Sequence, residues 1–295
     1  MSNRNGEGIL SKGDFGEVRL EGVTKVYAKA DQSQRVLDEC TFRVQRGKLT
    51  VLMGPSACGK TVLINLIAGY ERPTSGRIFI DESPVTGPGH DRLVVFQETA
   101  LFPWMTVYSN VVFGCQVRGV GRVETKDRAE HILKKVGLFE FRDKYPSQLS
   151  GGMQRRAELA RAMINDPKIM ILDEPFRGLD AMTRQLMQEF YVGLFEEIGR
   201  TNLFVTHEID EAIFLADRVI VFTFQPGKVK AEIDIDLPRP REFHMLASPR
   251  FMEIREQVIE LLYEEASKAF AAGSKAAYDL MGAIVARKGA CEKCE

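Results

Sequence analysis

Short apolar runs alternate with helix-like spacing along much of this chain. The apolar run at 49–53 predicts a buried strand, and the spacing at 62–68, followed by Gly69, predicts a helix that ends at a glycine. From Lys168 onward the two signals alternate, with strands and helices predicted at 169–172, 179–198, 202–206, 209–216 and 218–222. This alternation predicts an α/β fold in which helices cover a mainly parallel sheet.

A block with a different pattern interrupts the alternation. Residues 98–165 have helical spacing and little strand signal, so we predict a helical subdomain inserted within an α/β domain of residues 16–240. Within the block, Thr106 is the predicted N-cap of one helix and 126–136 forms another. Before it, strands are predicted at 16–23, 77–80 and 93–96.

The two ends of the chain differ from this domain. The polar, glycine-containing residues 1–15 are predicted to be disordered, and residues 241–295 to form a C-terminal extension that is helical from about 248 to 286. Cys291 and Cys294 form a C-x-x-C in that tail, which is half of a usual zinc site, so a solvated tail is the favoured interpretation.

The composition argues against several classes of function. With 40 basic and 41 acidic residues the net charge is −1, which gives no electrostatic case for nucleic-acid binding. No stretch approaches the roughly 18 apolar residues that a membrane span needs. The polar N-terminus lacks the apolar core of a signal peptide, so we expect a cytosolic protein.

Between the strand predicted at 49–53 and the helix predicted at 62–68 the sequence reads G-x-x-x-x-G-K-T, the phosphate-binding loop of nucleoside-triphosphate enzymes. Backbone N–H groups of such a loop surround phosphate oxygens, and the helix dipole favours their negative charge. We expect the lysine to reach the β- and γ-phosphates and the threonine hydroxyl to ligate Mg²⁺. The cysteine lies near the helix N-terminus, where the thiolate is expected to be favoured and ATP to protect it from alkylation. The loop residues are Gly54, Pro55, Ser56, Ala57, Cys58, Gly59, Lys60 and Thr61.

A second nucleotide-type feature follows the predicted strand at 169–172. Asp173 lies at the C-terminal end of this strand, where open α/β sheets bind ligands, and we expect it to hold Mg²⁺ through water. Glu174 is the expected general base that polarises the attacking water.

A serine and two glycines precede the helix predicted at 155–164. Ser150 can cap that helix, and the exposed N–H groups at Gly151 and Gly152 form a second anion site. Since the phosphate loop already holds the phosphates of its own nucleotide, a second anion site suggests a γ-phosphate bound from a facing molecule.

The order of these motifs resembles ATP-binding-cassette (ABC) ATPases over residues 17 to about 240. Leu149 to Gln154 matches the signature of that family, and within it the chain is similar to ATPase subunits of nitrate, sulfonate and taurine importers. The resemblance implies a P-loop NTPase of ABC ATPase type, with a mainly parallel core sheet, antiparallel strands and an inserted helical subdomain. Its implied cofactors are ATP and Mg²⁺.

The resemblance also implies roles for single residues. Tyr27, after the first strand, stacks on adenine, and Gln97 senses Mg²⁺ and the attacking water. Asp180 helps fix a facing subunit, and His207 contacts the γ-phosphate. Tyr27 could instead be a strand-end aromatic, and His207 a helix-start histidine. The implied nucleotide-binding residues further include Val62, Ser150, Gly151, Gly152 and Gln154.

Three positions depart from the family pattern. Ala57 occupies a position where glycine is common, which is tolerable if its φ is not positive. Val62 replaces a hydroxyl residue. Arg177 places a bulky cation before Leu179 and Asp180, at the presumed dimer contact.

The partners follow from the same resemblance. They are a second ATPase subunit, a membrane permease contacted through Phe102 and Trp104, and, indirectly, a solute-binding protein, with the chain peripheral on the cytoplasmic face of the inner membrane. A core position for Phe102 is the alternative. The competing function is a soluble cassette ATPase acting on nucleic acid or ribosomes. Such proteins carry long coiled-coil insertions, or two cassettes with a basic linker, and neither is visible here.

Overall fold

Strands and helices alternate through the computed structural model of the chain, which describes residues 15–29 and 32–272. The strands are β1 Val18–Lys29, β2 Gln32–Val44, β3 Leu49–Met53, β4 Ser75–Ile80, β5 Ser83–Pro84, β6 Arg92–Val95, β7 Ile169–Asp173, β8 Thr201–Val205, β9 Arg218–Phe222 and β10 Val229–Asp234. The α-helices are α1 Lys60–Ala68, α2 Val107–Val117, α3 Arg122–Lys135, α4 Gly151–Met163, α5 Ala181–Ile198, α6 Ile209–Leu215 and α7 Pro249–Ala271.

The chain divides into two units, which are described separately. The phosphate-loop unit comprises residues 16–89 and, from 201 onward, the rest of the described chain. The signature unit comprises residue 15 and residues 90–200.

A parallel sheet forms the centre of the phosphate-loop unit. Strand β3 pairs in parallel with β8 on one side and with β9 on the other, and β10 adds antiparallel to β9. All five residues of β3 and of β8 are buried. A strand covered on both faces has no solvent-facing side, which is why apolar residues predominate in both strands and the polar residues Thr50, Thr201 and Asn202 are buried with them.

A second, antiparallel sheet in the same unit has the strand order β2-β1-β4-β5. Strand β1 continues to Lys29, and Tyr27 pairs with Gln34 inside it. The prediction that Tyr27 follows the first strand is therefore wrong. The β1–β2 register shifts between Leu20 and Val26, so the apolar alternation that marks a strand is broken although the strand continues.

The signature unit combines two parallel strands with four helices. Strand β6 pairs with β7, and helices α2, α3 and α4 lie between them in sequence. The predicted cap at Thr106 is confirmed, since its Oγ1 accepts a hydrogen bond from the Ser109 N–H at 3.2 Å. Helix α4 begins at Gly151, four residues earlier than predicted, because Ser150 caps it there.

Helix α7 closes the described chain on the phosphate-loop unit. Ser248 caps it, and its buried residues include Phe251, Ile254, Val258 and Leu262, whose three- and four-residue spacing produces one apolar face. The predicted helix from 273 to 286, the tail with Cys291 and Cys294, and the predicted disorder at 1–14 lie outside the described residues. Among the residues that are described, no helix combines the length and apolarity that crossing a membrane requires.

Candidate functional site

The loop from Gly54 to Gly59 joins the buried strand β3 to helix α1. Its last residue, Gly59, is the N-cap of α1 and has a φ of 97°. A Cβ atom on Gly59 would lie 2.8 Å from Cδ2 of Leu37, so both backbone conformation and space require glycine there. Because the cap is a glycine, no capping side chain occupies the positive end of the helix dipole, which suits that end to an anion.

Ala57 lies in the left-handed region of backbone conformation, with a φ of 64°. The condition under which alanine replaces glycine here without strain, a φ that is not positive, is therefore not met. A side chain with a Cβ costs roughly 1 kcal/mol or more in that region, so the loop contains local strain that glycine would not have.

The ammonium group of Lys60 lies against the carbonyl groups at the start of the loop. It donates to the carbonyl oxygen of Gly54 at 2.8 Å and to that of Pro55 at 3.0 Å, and the residue is 8% exposed. A cation fixed at the base of a loop that precedes a helix N-terminus is suited to bind phosphate oxygens.

Cys58, a residue of the loop itself, is fully buried. Burial raises the pKa of its thiol, and the nearby Lys60 ammonium, 3.8 Å from the sulfur, lowers it by less. The prediction of a favoured thiolate is therefore wrong, because desolvation outweighs the effect of the helix N-terminus.

The turn between β9 and β10 packs directly on the phosphate loop. The side-chain amide of Gln225 donates to the carbonyl oxygen of Ala57 at 3.0 Å. A Cβ atom on Gly227 would lie 2.1 Å from the carbonyl oxygen of Cys58, so only glycine fits there. These contacts were not predicted, since Gln225 lies 168 residues from Ala57 in sequence.

Tyr27 is on the antiparallel sheet of the same unit. Its hydroxyl donates to Oε2 of Glu71 at 2.6 Å, and the ammonium of Lys25 lies 4.8 Å from the centre of its ring. Burial and the Glu71 carboxylate raise the pKa of Tyr27 to about 12. The residue is more than a third exposed.

His207 lies two residues after the end of β8, also in the phosphate-loop unit. Its side chain is exposed, and Nε2 lies 3.8 Å from Oε1 of Glu208. The preceding Thr206 is buried and its hydroxyl accepts from the Glu208 N–H at 3.1 Å, which fixes the backbone on both sides of the histidine.

In the signature unit, strand β7 carries two acidic residues at its C-terminal end. Asp173 is its last residue and is buried, and Glu174 follows with a φ of 43°. A guanidinium nitrogen of Arg177 lies 3.1 Å from Oε2 of Glu174. Arg177, which the sequence places near a presumed dimer contact, is thus ion-paired to the expected general base.

The start of helix α4 packs against the start of helix α5. Ser150 accepts a hydrogen bond from the Met153 N–H at 3.3 Å, and Asp180 accepts one from the Thr183 N–H at 3.0 Å. A Cβ atom on Gly152 would lie 2.9 Å from Cγ2 of Thr183. The serine-glycine-glycine segment and Asp180 are therefore neighbours, and the second glycine is required by this close approach.

Gln154 makes contacts within its own chain. Its side-chain amide donates to the carbonyl oxygens of Pro146 at 2.9 Å and Leu149 at 3.3 Å, which holds the segment before the signature. These bonds support the serine-glycine-glycine segment without using the side chain for a ligand.

Gln97 lies in the exposed segment after β6, and its backbone is held by helix α4. The guanidinium of Arg155 donates to the carbonyl oxygens of Phe96 at 2.8 Å and Gln97 at 2.7 Å. Arg155 is in turn paired with Glu158 at 2.5 Å. This pair was not predicted from the sequence, although its i,i+3 spacing on a predicted helix was a signal for it.

Phe102 and Trp104 form an aromatic pair on the signature unit. Phe102 is half-buried against Phe113, with a ring-centre distance of 4.9 Å, and Trp104 lies 5.5 Å from Phe102 and is 69% exposed. Trp104 is thus an exposed aromatic side chain that contacts the packed ring of Phe102. The alternative prediction, that Phe102 is a core residue, is only partly right, because Phe102 is half-buried.

Comparisons with known proteins agree with this arrangement. The ABC transporter family model matches residues 37–177. An uncharacterized ABC transporter ATP-binding protein of Methanocaldococcus jannaschii is 42% identical over 86% of this chain and 94% of its own length.

Relatives with assigned transport roles are somewhat less similar. The aliphatic sulfonates import ATP-binding protein of Bacillus cereus and the nitrate import ATP-binding protein of Synechocystis sp. are each 37% identical, over 82% and 83% of this chain and 94% of their own. A dimeric structure of an ATP-binding cassette in a post-hydrolysis state, bound to ADP and Pi, matches with a TM-score of 0.65 and 31% identity, over 75% of this chain and all of that one. The chain belongs to the ABC transporter family of ATP-binding, ATP-hydrolysing proteins.

Proposed function

We propose that this chain is the ATPase subunit of an importer for nitrate, a sulfonate, taurine or a related small solute, acting on a separate membrane permease. The observation that carries the proposal is the presence, in one chain, of a phosphate loop and a second helix start suited to an anion, at Ser150. The relatives named as sulfonate and nitrate import proteins support the solute class. The chain would then be peripheral on the cytoplasmic face of the inner membrane.

In this proposal ATP binds at the loop 54–61, with Lys60 on its phosphates, Val62 beside the loop in the first turn of α1, and Tyr27 against its adenine. The Thr61 hydroxyl and the Asp173 carboxylate supply oxygen ligands of the kind that Mg²⁺ takes, with Gln97 near the ion and the attacking water. Glu174 accepts the proton of that water, and His207 contacts the γ-phosphate.

Two substitutions separate binding from hydrolysis. Glu174→Gln should retain ATP binding and lower kcat by about 10²-fold or more, since it removes the proton acceptor. Lys60→Ala should instead weaken ATP binding, measured as the Kd for a fluorescent ATP analogue. Normal turnover in Glu174→Gln would refute the assignment of the general base.

The second part of the proposal is that two chains complete each site. Ser150, Gly151 and Gly152 of one chain contact the γ-phosphate bound to the other, with Asp180 at the contact between them. The ATPase rate per chain should then rise with protein concentration, and Ser150→Arg should abolish activity by crowding the γ-phosphate.

Ser248→Arg is the matched control for loss of a helix cap. Ser248 accepts from the Phe251 N–H at 3.3 Å, the same distance as the Ser150 cap, so both variants lose about 1 kcal/mol of capping. Only Ser150→Arg should lose ATPase activity. Equal losses in the two variants, or a concentration-independent rate from a monomer, would contradict the dimeric site.

The third part concerns the permease, which we propose contacts Phe102 and Trp104. Trp104→Ala should leave the basal ATPase rate of the isolated subunit within about twofold and reduce solute uptake by the reconstituted complex by about tenfold, because interface aromatics contribute most of the binding energy. Phe270→Ala, at another exposed aromatic, is the control and should leave uptake unchanged.

The competing function is a soluble cassette ATPase that acts on nucleic acid or ribosomes. An ATPase rate that depends on added nucleic acid or ribosomes would favour it.

A further inference from the structure

Helix α4 carries an arginine and a glutamate that are buried together. Arg155 is 4% and Glu158 3% exposed, and Nη1 of the arginine lies 2.5 Å from Oε2 of the glutamate. A buried ion pair adds little net stability compared with an apolar pair of the same volume, because both ions lose their hydration. Stability of the helix alone therefore does not explain why these two charges are present.

The remaining hydrogen bonds of the pair end on a single segment, residues 96–100, which connects β6 towards α2. Arg155 donates to the carbonyl oxygens of Phe96 and Gln97, and Oε1 of Glu158 accepts from the Ala100 N–H at 2.5 Å. Arg161, two turns along the helix from Arg155, donates to the carbonyl oxygen of Ala100 at 2.8 Å. The segment is thus held at both ends.

Holding the segment at both ends matters because the segment itself is exposed and has no regular secondary structure. The backbone of an exposed irregular segment samples many conformations, and fixing it reduces the entropy lost when one conformation is needed. Arginine is suited to this task since its planar guanidinium presents donors in a fixed fork, which here serves two successive carbonyl groups and one carboxylate.

We propose that Arg155 and Glu158 are positioning residues for Gln97, holding its backbone so that its side chain meets Mg²⁺ and the attacking water. This inference rests on the role proposed above for Gln97. It gives the middle of helix α4 a function in positioning a hydrolytic residue of its own chain. This function is separate from the contact with a facing chain that we propose for Ser150, Gly151 and Gly152 at the start of the helix.

The main test is the variant Arg155→Met/Glu158→Leu, which removes both charges and keeps apolar volume. The full-length variant should show a cooperative thermal transition close to that of the unmodified protein. Its kcat for ATP should fall by about tenfold or more, as expected for a misplaced group, with the KM for ATP within about twofold. Arg156→Met is the matched control, since Arg156 donates to the carbonyl oxygen of Val136 and to none in the 96–100 segment.

A double-mutant cycle tests whether the pair acts through Gln97. Gln97→Ala alone should lower kcat by about tenfold or more. Adding it to Arg155→Met/Glu158→Leu should lower kcat little further, whereas independent effects would multiply to about 100-fold. Multiplying effects would overturn the inference, and so would an unchanged kcat in Arg155→Met/Glu158→Leu while Gln97→Ala is impaired.

Failure of the underlying proposal gives a different result. If Gln97→Ala retains full activity, the role of Gln97 is refuted, and the positioning role of Arg155 and Glu158 is refuted with it.

If Arg155→Met/Glu158→Leu loses its cooperative transition, Arg155→Lys replaces it in the double-mutant cycle. It keeps a charge beside Glu158 but loses the fork, so the same lower kcat with unchanged KM is expected, and an unchanged kcat overturns the inference.

Discussion

Gln225 donates its side-chain amide to the carbonyl oxygen of Ala57, at 3.0 Å, and Ala57 is the residue of the phosphate loop whose φ of 64° an alanine adopts only under strain. The strained position is therefore held from outside the loop, by the turn between β9 and β10. The same turn is fixed from its other side, since Oε2 of the buried Glu265 on α7 accepts from the Phe224 N–H at 2.8 Å. Helix α7 thus supports the turn that supports the phosphate loop.

Ala57→Gly should make the protein more stable. Relief of left-handed strain gains about 1–2 kcal/mol and exceeds the roughly 0.4–1 kcal/mol entropy cost of glycine, so a net gain of about 0.5–1 kcal/mol is expected. Thermal unfolding measures it. Ala129→Gly, within helix α3, is the control and should lose at least about 1 kcal/mol, because glycine lowers helix propensity and a buried methyl group is lost. A lower Tm for Ala57→Gly would show that the loop carries no strain at this residue.

Cys58 should resist alkylation in the folded protein. Burial raises the pKa of its thiol, so the reactive thiolate is scarce and the sulfur is inaccessible. Iodoacetamide at pH 8 should modify it at least about 100-fold more slowly than in the unfolded chain, with or without ATP. Mass spectrometry of the peptide that contains Cys58 separates its rate from those of the other cysteines. Fast modification that ATP prevents would restore the sequence-based prediction.

Arg177→Ala should increase the ATPase rate of the isolated subunit. The guanidinium lies 3.1 Å from Oε2 of Glu174, so under the proposed mechanism it would compete with the attacking water for that oxygen. Removing this competing ion pair should raise kcat about two- to fivefold. Arg128→Ala, which removes an ion pair with Glu124 on helix α3, should change nothing. A lower kcat in Arg177→Ala would mean that the arginine orients Glu174 productively.

The attachment of helix α7 should weaken in acid. Hydrogen bonds from Lys230 and Lys268 lower the pKa of Glu264 to about 2, from a usual value of 4.5. A carboxyl group whose pKa is lowered by folding stabilises the native state above its unfolded pKa, and that contribution is lost as the pH falls from about 4.5 to 2.

Glu264→Gln tests this dependence. The unmodified protein should have the higher Tm at pH 7, and the difference should disappear by about pH 2, as the carboxylate becomes protonated. Glu260→Gln, at another exposed position of the same helix, should show no such change with pH. A difference between Glu264→Gln and the unmodified protein that persists at pH 2 would contradict the ion-pair explanation.

Local sequence signals predicted the parts of the fold that depend on neighbouring residues. Strand β3 and strand β9 have the predicted bounds, because a short, mostly apolar run is both the local signal and the cause of a buried strand. The glycine that ends α1 was visible for the same reason, since Gly69 adopts the left-handed conformation that its position demands.

Features that depend on distant contacts were not predictable in this way. The hydrogen bond that the Ala57 carbonyl accepts comes from a turn 168 residues later, and no neighbouring residue indicates the burial that raises the pKa of the Cys58 thiol. Arg155 and Glu158 have the spacing of an ordinary surface ion pair. Only their burial against the 96–100 segment distinguishes them, and that burial arises from the packing of the whole unit.

The position of Trp104 gives the protein a built-in optical reporter. It is the only tryptophan in the sequence, and it is 69% exposed on the ring of Phe102. Intrinsic tryptophan fluorescence therefore comes from one surface position, without background from a core indole. Any molecule that covers this aromatic pair should shift the emission to shorter wavelength and protect it from iodide quenching, so occupancy of the surface can be titrated on the unlabelled protein.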